Sequence, residues 1–149
     1  IEDKSSFYHD CEKNEIWGQM QSITTLKNEP KNHVSAFGSD HPFSLTFQYP
    51  FNKIADSLKN SILISFKTKG NALPDSVMLA IELSGESVEF LWSGKPFSEL
   101  LGTKYNEWQT ASFEFKIPET YKNAGLVKVY GYNPNNYLYY LDDFSIEFK

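Results

Sequence analysis

The chain holds a single cysteine, Cys11, in 149 residues. No internal disulfide can form, and one thiol cannot assemble a cysteine-based zinc site. Cys11 is therefore expected as a small buried hydrophobe. Positive charge is scarce too. With 14 Lys and Arg against 19 Asp and Glu, the net charge of -5 leaves no basic stripe to follow phosphates, which sets nucleic acid aside as a partner. No apolar run approaches the roughly 18 residues of a membrane span. Helical periodicity is nearly missing: the segments 54–60 and 97–101 offer one short turn each, too short to hold alone. Repeats, low-complexity tracts and Gly-x-Ser-x-Gly elbows are absent. So are Asn-x-Ser/Thr sequons, which leans away from eukaryotic secretion.

Aromatic side chains are abundant instead, at 16% with 12 Phe, 9 Tyr and 3 Trp. Such usage suits β-rich folds, where flat rings pack on pleated faces. Apolar residues alternate with polar ones in short runs separated by Gly, Pro, Asn and Ser. These are Leu45, Phe47 and Tyr49 before Pro50; Ile62, Ile64 and Phe66 before Gly70; and Val77 to Leu83. Val88, Phe90 and Trp92 follow, then Ala111, Phe113, Phe115 and Ile117 before Pro118, and Val127, Val129 and Gly131. Seven or more such strands predict an all-β, two-sheet antiparallel sandwich or barrel. A chain of this length buries one full core, so residues 7–149 are read as one domain behind a flexible tail, 1–6.

Two hairpins can be registered. Around Gly85-Glu86, Leu83 is expected opposite Val88, Ile81 opposite Phe90 and Leu79 opposite Trp92. Around Asn133 to Asn136, Tyr132 is expected opposite Tyr137 and Tyr130 opposite Tyr139, all four on one sheet face. The final strand then carries an Asp142-Asp143 pair inside an apolar run. Unpaired buried charge costs several kcal/mol or shifts its pKa until neutral, and a hard cation is the simplest partner. Solvation, or pairing with lysine and backbone donors, is the alternative.

Catalytic constellations are thin. His9, Cys11 and Glu12 resemble clustered ligands, but tetrahedral zinc would need two more with no spacing signature. The first register sets Glu82 opposite Glu89, a carboxylate pair of the kind glycoside hydrolysis uses. Like charges directly opposed weaken a sheet, and no long loops enclose a substrate, so no catalytic residue is assigned. Sugars, in contrast, stack their C–H faces on Trp and Tyr. Tyr130, Tyr132, Tyr137 and Tyr139, with Asn133, Asn135 and Asn136 beside them, form one candidate platform, and Trp92 a second. Trp17 and Trp108 are expected in the core.

Three ordered stretches carry a resemblance: Asn106-Glu-Trp-Gln-Thr-Ala-Ser-Phe-Glu-Phe-Lys-Ile-Pro118, Val127-Lys-Val-Tyr-Gly-Tyr-Asn-Pro134 and Tyr140-Leu-Asp-Asp-Phe-Ser-Ile146. With His9-Asp-Cys-Glu12 before Trp17, and Asn32 to Gly38 leading into Phe43-Ser-Leu-Thr-Phe47, the chain resembles calcium-containing β-jelly-roll carbohydrate-binding modules of the galactose-binding-domain-like group. The resemblance implies a jelly roll whose first and last strands are adjacent. It also implies a structural calcium held by Glu12 and Asp142, with further oxygens from near Asp10 and Asn32; calcium takes 6–8 oxygen ligands. The implied function is glycan binding without catalysis. A chain opening Ile1-Glu-Asp-Lys without Met reads as a processed bacterial protein, secreted or attached to the cell surface. The alternative is a structural or protein-interaction sandwich with no sugar site, since fold does not set function.

Overall fold

The computed structural model describes residues 4–12, 16–26, 28–101 and 104–149. Among the described residues, ten strands build two antiparallel sheets: β1 (Ser6–His9), β2 (Ile23–Leu26), β3 (Glu29–Phe37), β4 (Phe47–Pro50), β5 (Ser61–Gly70), β6 (Met78–Ser84), β7 (Leu91–Pro96), β8 (Gln109–Lys116), β9 (Leu126–Tyr132) and β10 (Tyr139–Phe148). One sheet has the order β2-β3-β10-β5-β8 with β1 also on β10, and the other has the order β4-β9-β6-β7. The segment expected as a turn at 97–101 is a one-turn helix, α1 (Phe97–Leu100), and 54–60 holds a 3₁₀ turn at Asp56–Leu58. Residues 1–3 of the expected tail lie outside the described residues. Ser6 already belongs to β1, and Ser5 accepts a bond from the Phe148 amide.

The period-2 pattern does what alternation must: Ile62, Ile64 and Phe66 of β5, Leu79, Ile81 and Leu83 of β6, and Leu141, Phe144, Ile146 and Phe148 of β10 all enter the space between the sheets. Each fully buried side chain of this size contributes about 1.5–3 kcal/mol. Rings interlock across the layer. Phe7 sits 5.0 Å from Phe47, and Trp17 sits 5.2 Å from Phe47 and 5.6 Å from Phe144. Trp17 is a core residue, as expected, and Cys11 is buried as well.

Both expected hairpins need correction. In the first, Leu83 pairs with Leu91, Ile81 with Ser93 and Leu79 with Lys95. Glu82 therefore stands opposite Trp92, not Glu89, and the opposed carboxylate pair does not exist. The reason is packing at the sheet end. Gly125 donates to Ser84 O at 2.8 Å, and Val88 leaves the ladder to pack on the core. In the second, β9 and β10 belong to different sheets, so the Asn-Pro-Asn-Asn turn crosses the sandwich. Asn133 holds that crossing. Fully buried, it donates through Nδ2 to Phe37 O (3.1 Å) and Tyr137 O (2.8 Å), and accepts through Oδ1 from the Asn135 amide at 3.0 Å. A side-chain amide that satisfies three backbone groups outcompetes a two-strand ladder.

The Asp-Asp pair marks a seam. β10 pairs with β3 over Tyr139–Leu141 and with β1 over Phe144–Glu147, so its partner on that edge changes at residues 142–143. On the other edge, the register to β5 shifts between Asp142 and Ser145. Asp143 supplies the bulge with φ 50°, the left-handed region that Asp and Asn tolerate better than most residues.

Candidate functional site

A groove of about 570 Å³ crosses the outer face of the six-stranded sheet at this seam. Asp142 and Asp143 of β10 meet Tyr8 of β1, Asp10 and Glu12 just after it, and Asn32 of β3. Lys67 of β5, Thr110 of β8 and Trp108 complete the far side. The four residues expected to hold a cation, Asp10, Glu12, Asn32 and Asp142, are thus brought to one place from three separate segments of the chain. Glu29 and Gln109 also line it.

Most of these groups have partners. Tyr8 donates its hydroxyl to Asp143 Oδ1 (2.5 Å), and Lys67 Nζ lies 3.3 Å from Asp143 Oδ2. Glu12 is clasped by His33, whose amide donates to Oε1 at 2.5 Å and whose ring nitrogen lies 2.8 Å from Oε2. Those two bonds hold the Glu12 carboxyl below its usual range. The Asp10 carboxylate accepts from the Glu12 amide at 3.0 Å. Asp142 is different. Only 8% exposed, it accepts from the Asp143 amide at 2.9 Å and forms no ion pair among the described residues. Burial raises its pKa to about 6, and the charges of Asp143, Glu12 and Asp10 push the same way against that amide bond.

A buried carboxylate with no ion-pair partner among the described residues, set among oxygen donors, has the chemistry a hard cation wants. Side chains alone do not complete such a site: among the described residues, no group of three or more His, Cys, Asp and Glu is set to hold a metal ion. His33 occupies Glu12, and Tyr8 with Lys67 occupies Asp143. A calcium at Asp142 would draw the remaining ligands from Asp10, the Asn32 side chain, backbone carbonyls and water.

Trp108 is the residue that sequence reasoning misplaced. It is half-buried on the groove rather than in the core. Its indole nitrogen donates to Glu29 Oε2 at 3.4 Å, and Lys69 Nζ stands 5.7 Å from its ring while bridging to the same Glu29 oxygen at 3.8 Å. The legible signal was parity. Ala111, Phe113 and Phe115 face inward, so residue 108 shares the outward face of Thr110 and Ser112. Tyr8, 45% exposed between the inward Phe7 and His9, carried the same signal.

The expected tyrosine platform divides. Tyr139 is fully buried with its hydroxyl on Ala72 O at 2.7 Å, and it cannot meet a ligand. Tyr137 packs on the core edge and binds the 71–76 loop through Leu73 O at 2.8 Å. Tyr130, Tyr132 and Trp92 do share a face, the outer one of the four-stranded sheet, on the side of the sandwich away from the groove. There Trp92 Nε1 donates to the Tyr130 hydroxyl at 3.1 Å, and that hydroxyl donates to Glu82 Oε2. Burial, then the Glu82 bond, raises the Tyr130 pKa to about 12. Phe43, which sequence reasoning did not single out, lies 5.7 Å from Tyr130 and 5.6 Å from Tyr132.

No protein-family model matches the chain, and no curated protein matches it. Solved structures do. One described as a family 16 carbohydrate-binding module superposes with TM-score 0.51 at 8% identity, covering 84% of each chain. The CBM22-1 xylan-binding domain of Paenibacillus barcinonensis Xyn10C gives TM-score 0.54 at 11% identity, covering 95% of this chain and 92% of that one. The CBM22-1-GH10 modules of a Clostridium thermocellum endo-1,4-beta-D-xylanase, complexed with xylohexaose, give 0.59 at 18%, with 85% of this chain on 24% of that longer one. The fold is that of the β-sandwich carbohydrate-binding modules.

Proposed function

We propose that this domain is a non-catalytic carbohydrate-binding module of a secreted or surface-displayed bacterial protein, and that it holds a polysaccharide in the groove across the six-stranded sheet. The observation that carries this reading is Trp108. Its ring is fixed by Glu29 and Lys69 beside an open polar channel, with Tyr8 across from it. A flat ring held in place costs little entropy on binding, and the acids, amides and Thr110 around it offer hydroxyl partners of both senses. Five lining carboxylates against Lys67 disfavour an anionic ligand, so a neutral glycan fits. Two of the structures with this fold are described with xylan or xylohexaose, which makes xylan the first glycan to try. Calcium belongs to the same proposal, as a structural ion at Asp142 with Asp10, Glu12 and Asn32 near it. Its role there is to neutralise the seam and fix the groove wall, not to activate water.

Calorimetry and affinity electrophoresis against xylan, cellulose, mannan, galactan and bacterial glycans test the reading. Trp108→Ala is expected to weaken binding at least tenfold with the fold intact. Silence across that panel overturns it in favour of a structural or protein-interaction sandwich. Release of reducing sugar that vanishes in Asp142→Asn overturns the non-catalytic part alone.

A further inference from the structure

The six-stranded sheet ends on β8, which pairs with β5 on one side and with no strand on the other among the described residues. Its eight residues run without a register shift. The other ending strands are blunted. β2 and β4 have four residues each; β2 breaks register between Thr25 and Leu26, and β4 closes on Pro50. β7 has six residues and closes on Lys95-Pro96. Which groups of β8 face outward follows from its neighbour. Ser61 exchanges both backbone hydrogen bonds with Lys149, at 3.0 Å each. Odd-numbered residues of β5 therefore turn their backbone toward β10, and even-numbered ones toward β8. Ile62 stands opposite Phe115, Ile64 opposite Phe113 and Phe66 opposite Ala111, so those residues of β8 are bonded to β5. The amides and carbonyls of Thr110, Ser112, Glu114 and Lys116 point to the open edge, and the same four residues are exposed.

A row of outward backbone groups accepts another strand, and the side chains select which one. Antiparallel pairing of β8 with a second β8, about a two-fold at Ser112, sets Ser112 against its copy, Thr110 against Glu114 and Trp108 against Lys116. No like charges then meet on the outer face. A two-fold at Glu114 opposes two carboxylates, and one at Phe113 sets Glu114 diagonal to its own copy. A slip of one residue turns the polar side of each strand onto the apolar side of the other. With the two-fold at Ser112, the ammonium of Lys116 reaches the Trp108 ring, whose indole is bonded to Glu29. On the inner side Phe113 is half-buried, with Lys95 Nζ 5.4 Å from its ring, and Ala111 of the second copy covers the open part.

We propose that β8 is a dimerisation edge: two copies of this chain pair antiparallel about Ser112 and join their six-stranded sheets into one. The interface is isologous, the same strand serving both copies. Edge pairing buries a small area for a specific interface, below about 1,200 Å², so the dimer forms at high micromolar to millimolar protein. Trp108 and Thr110 bring the groove to this same edge. The two grooves therefore lie on one face of the joined sheet, with their Trp108 residues about 27 Å apart at ordinary strand rise. Lys116 of each copy stands at the rim of the other's groove. A polysaccharide lying across both gains avidity. Only this consequence rests on the glycan reading above; the dimer does not.

Sedimentation equilibrium from micromolar to millimolar protein tests the association, and disulfide trapping tests its register. The wild type is expected to pass from monomer to dimer across that range. Ser112→Lys sets two ammonium groups face to face and should keep the chain monomeric. Its melting temperature in dilute protein should match the wild type, because Ser112 is exposed and outside the groove. Ser112→Cys should cross-link under mild oxidation, since Cα atoms of a hydrogen-bonded antiparallel pair lie about 5.5 Å apart, within disulfide reach. Cys11 is buried and does not compete. Glu114→Cys, which meets Thr110, should not cross-link. Ser112→Lys should bind xylotriose as the wild type does and lose at least tenfold on polymeric xylan. A wild type that stays monomeric at millimolar concentration overturns the dimer and leaves the groove standing. So does Glu114→Cys cross-linking as fast as Ser112→Cys. A trapped dimer that is silent on the whole glycan panel supports the dimer and overturns the glycan reading.

Discussion

The Tyr8 hydroxyl donates to Asp143 Oδ1 across 2.5 Å, joining the first strand of the chain to the bulge of the last. The bond raises the Tyr8 pKa, because the ionised phenol would face a carboxylate it now donates to. It also lends Asp143 a donor beside Lys67 and so orders the groove wall. Tyr8→Phe is expected to cost about 1 kcal/mol in chemical denaturation, the usual net worth of one hydrogen bond. Glycan affinity should fall only a few-fold, since the ring remains. A loss as large as that of Trp108→Ala would mean the hydroxyl, not the ring, is the contact.

Asp142 makes metal-free stability depend on pH in the less usual direction. Its folded pKa is raised from 3.8 to about 6, so the fold favours the protonated form. That contribution is complete below the unfolded value and is lost as pH rises through about 6. In chelator, the melting temperature should therefore fall between pH 4 and pH 7. Asp142→Asn keeps an oxygen for the Asp143 amide and should flatten this fall, gaining on the order of 2 kcal/mol at pH 7.5. A variant with the wild-type pH profile would sink the assignment.

Calcium should reverse that sign. An ion bound only to the folded state stabilises by mass action, about 2.7 kcal/mol at a hundred times its Kd. Millimolar calcium is expected to raise the wild-type melting temperature by several degrees and chelator to lower it. Asp142→Asn, the more stable protein in chelator, should become the less stable one in calcium. Melting curves that superpose with and without calcium would remove the ion from this account.

Gly70 faces Tyr139 so closely that a Cβ there would lie 2.2 Å from the ring. Tyr139 is fully buried and bonded to Ala72 O, leaving no route of retreat. Gly70→Ala should destabilise by about 1–3 kcal/mol, as overpacking does. Tyr139→Phe should cost about 1 kcal/mol, the usual net worth of the one hydrogen bond it makes to the part-buried Ala72 carbonyl. Neither should change glycan affinity in protein that remains folded.

The site was legible where residue type sufficed. An Asp-Asp pair interrupting an apolar strand announces a bulge or an ion, and the four cation candidates do meet in one groove. Trp92, Tyr130 and Tyr132 were legible as a set because Tyr130 and Tyr132 share parity on β9. Trp108 was misread for want of the same parity count. Tyr137 and Tyr139 were misassigned with the hairpin: once Asn133 sends the chain to the other sheet, an identical alternation points Tyr139 into the core.

Sequence by itself determined what is local: which stretches are strands, which side chains of each strand share a side, and that enough rings and branched residues exist for one core. Alternation has a period of two and nothing more, so it says which residues go together and not which strand they face or which side is solvent. Those were decided by tertiary packing. Buried Asn133 separates β9 from β10, and the ladder at Ser84 ends early enough to bring Glu82 to Trp92. The change of partner along β10 gathers four distant segments around Asp142. Hydrogen-bond satisfaction of buried groups is a property of the whole sandwich, and no window of the chain contains it.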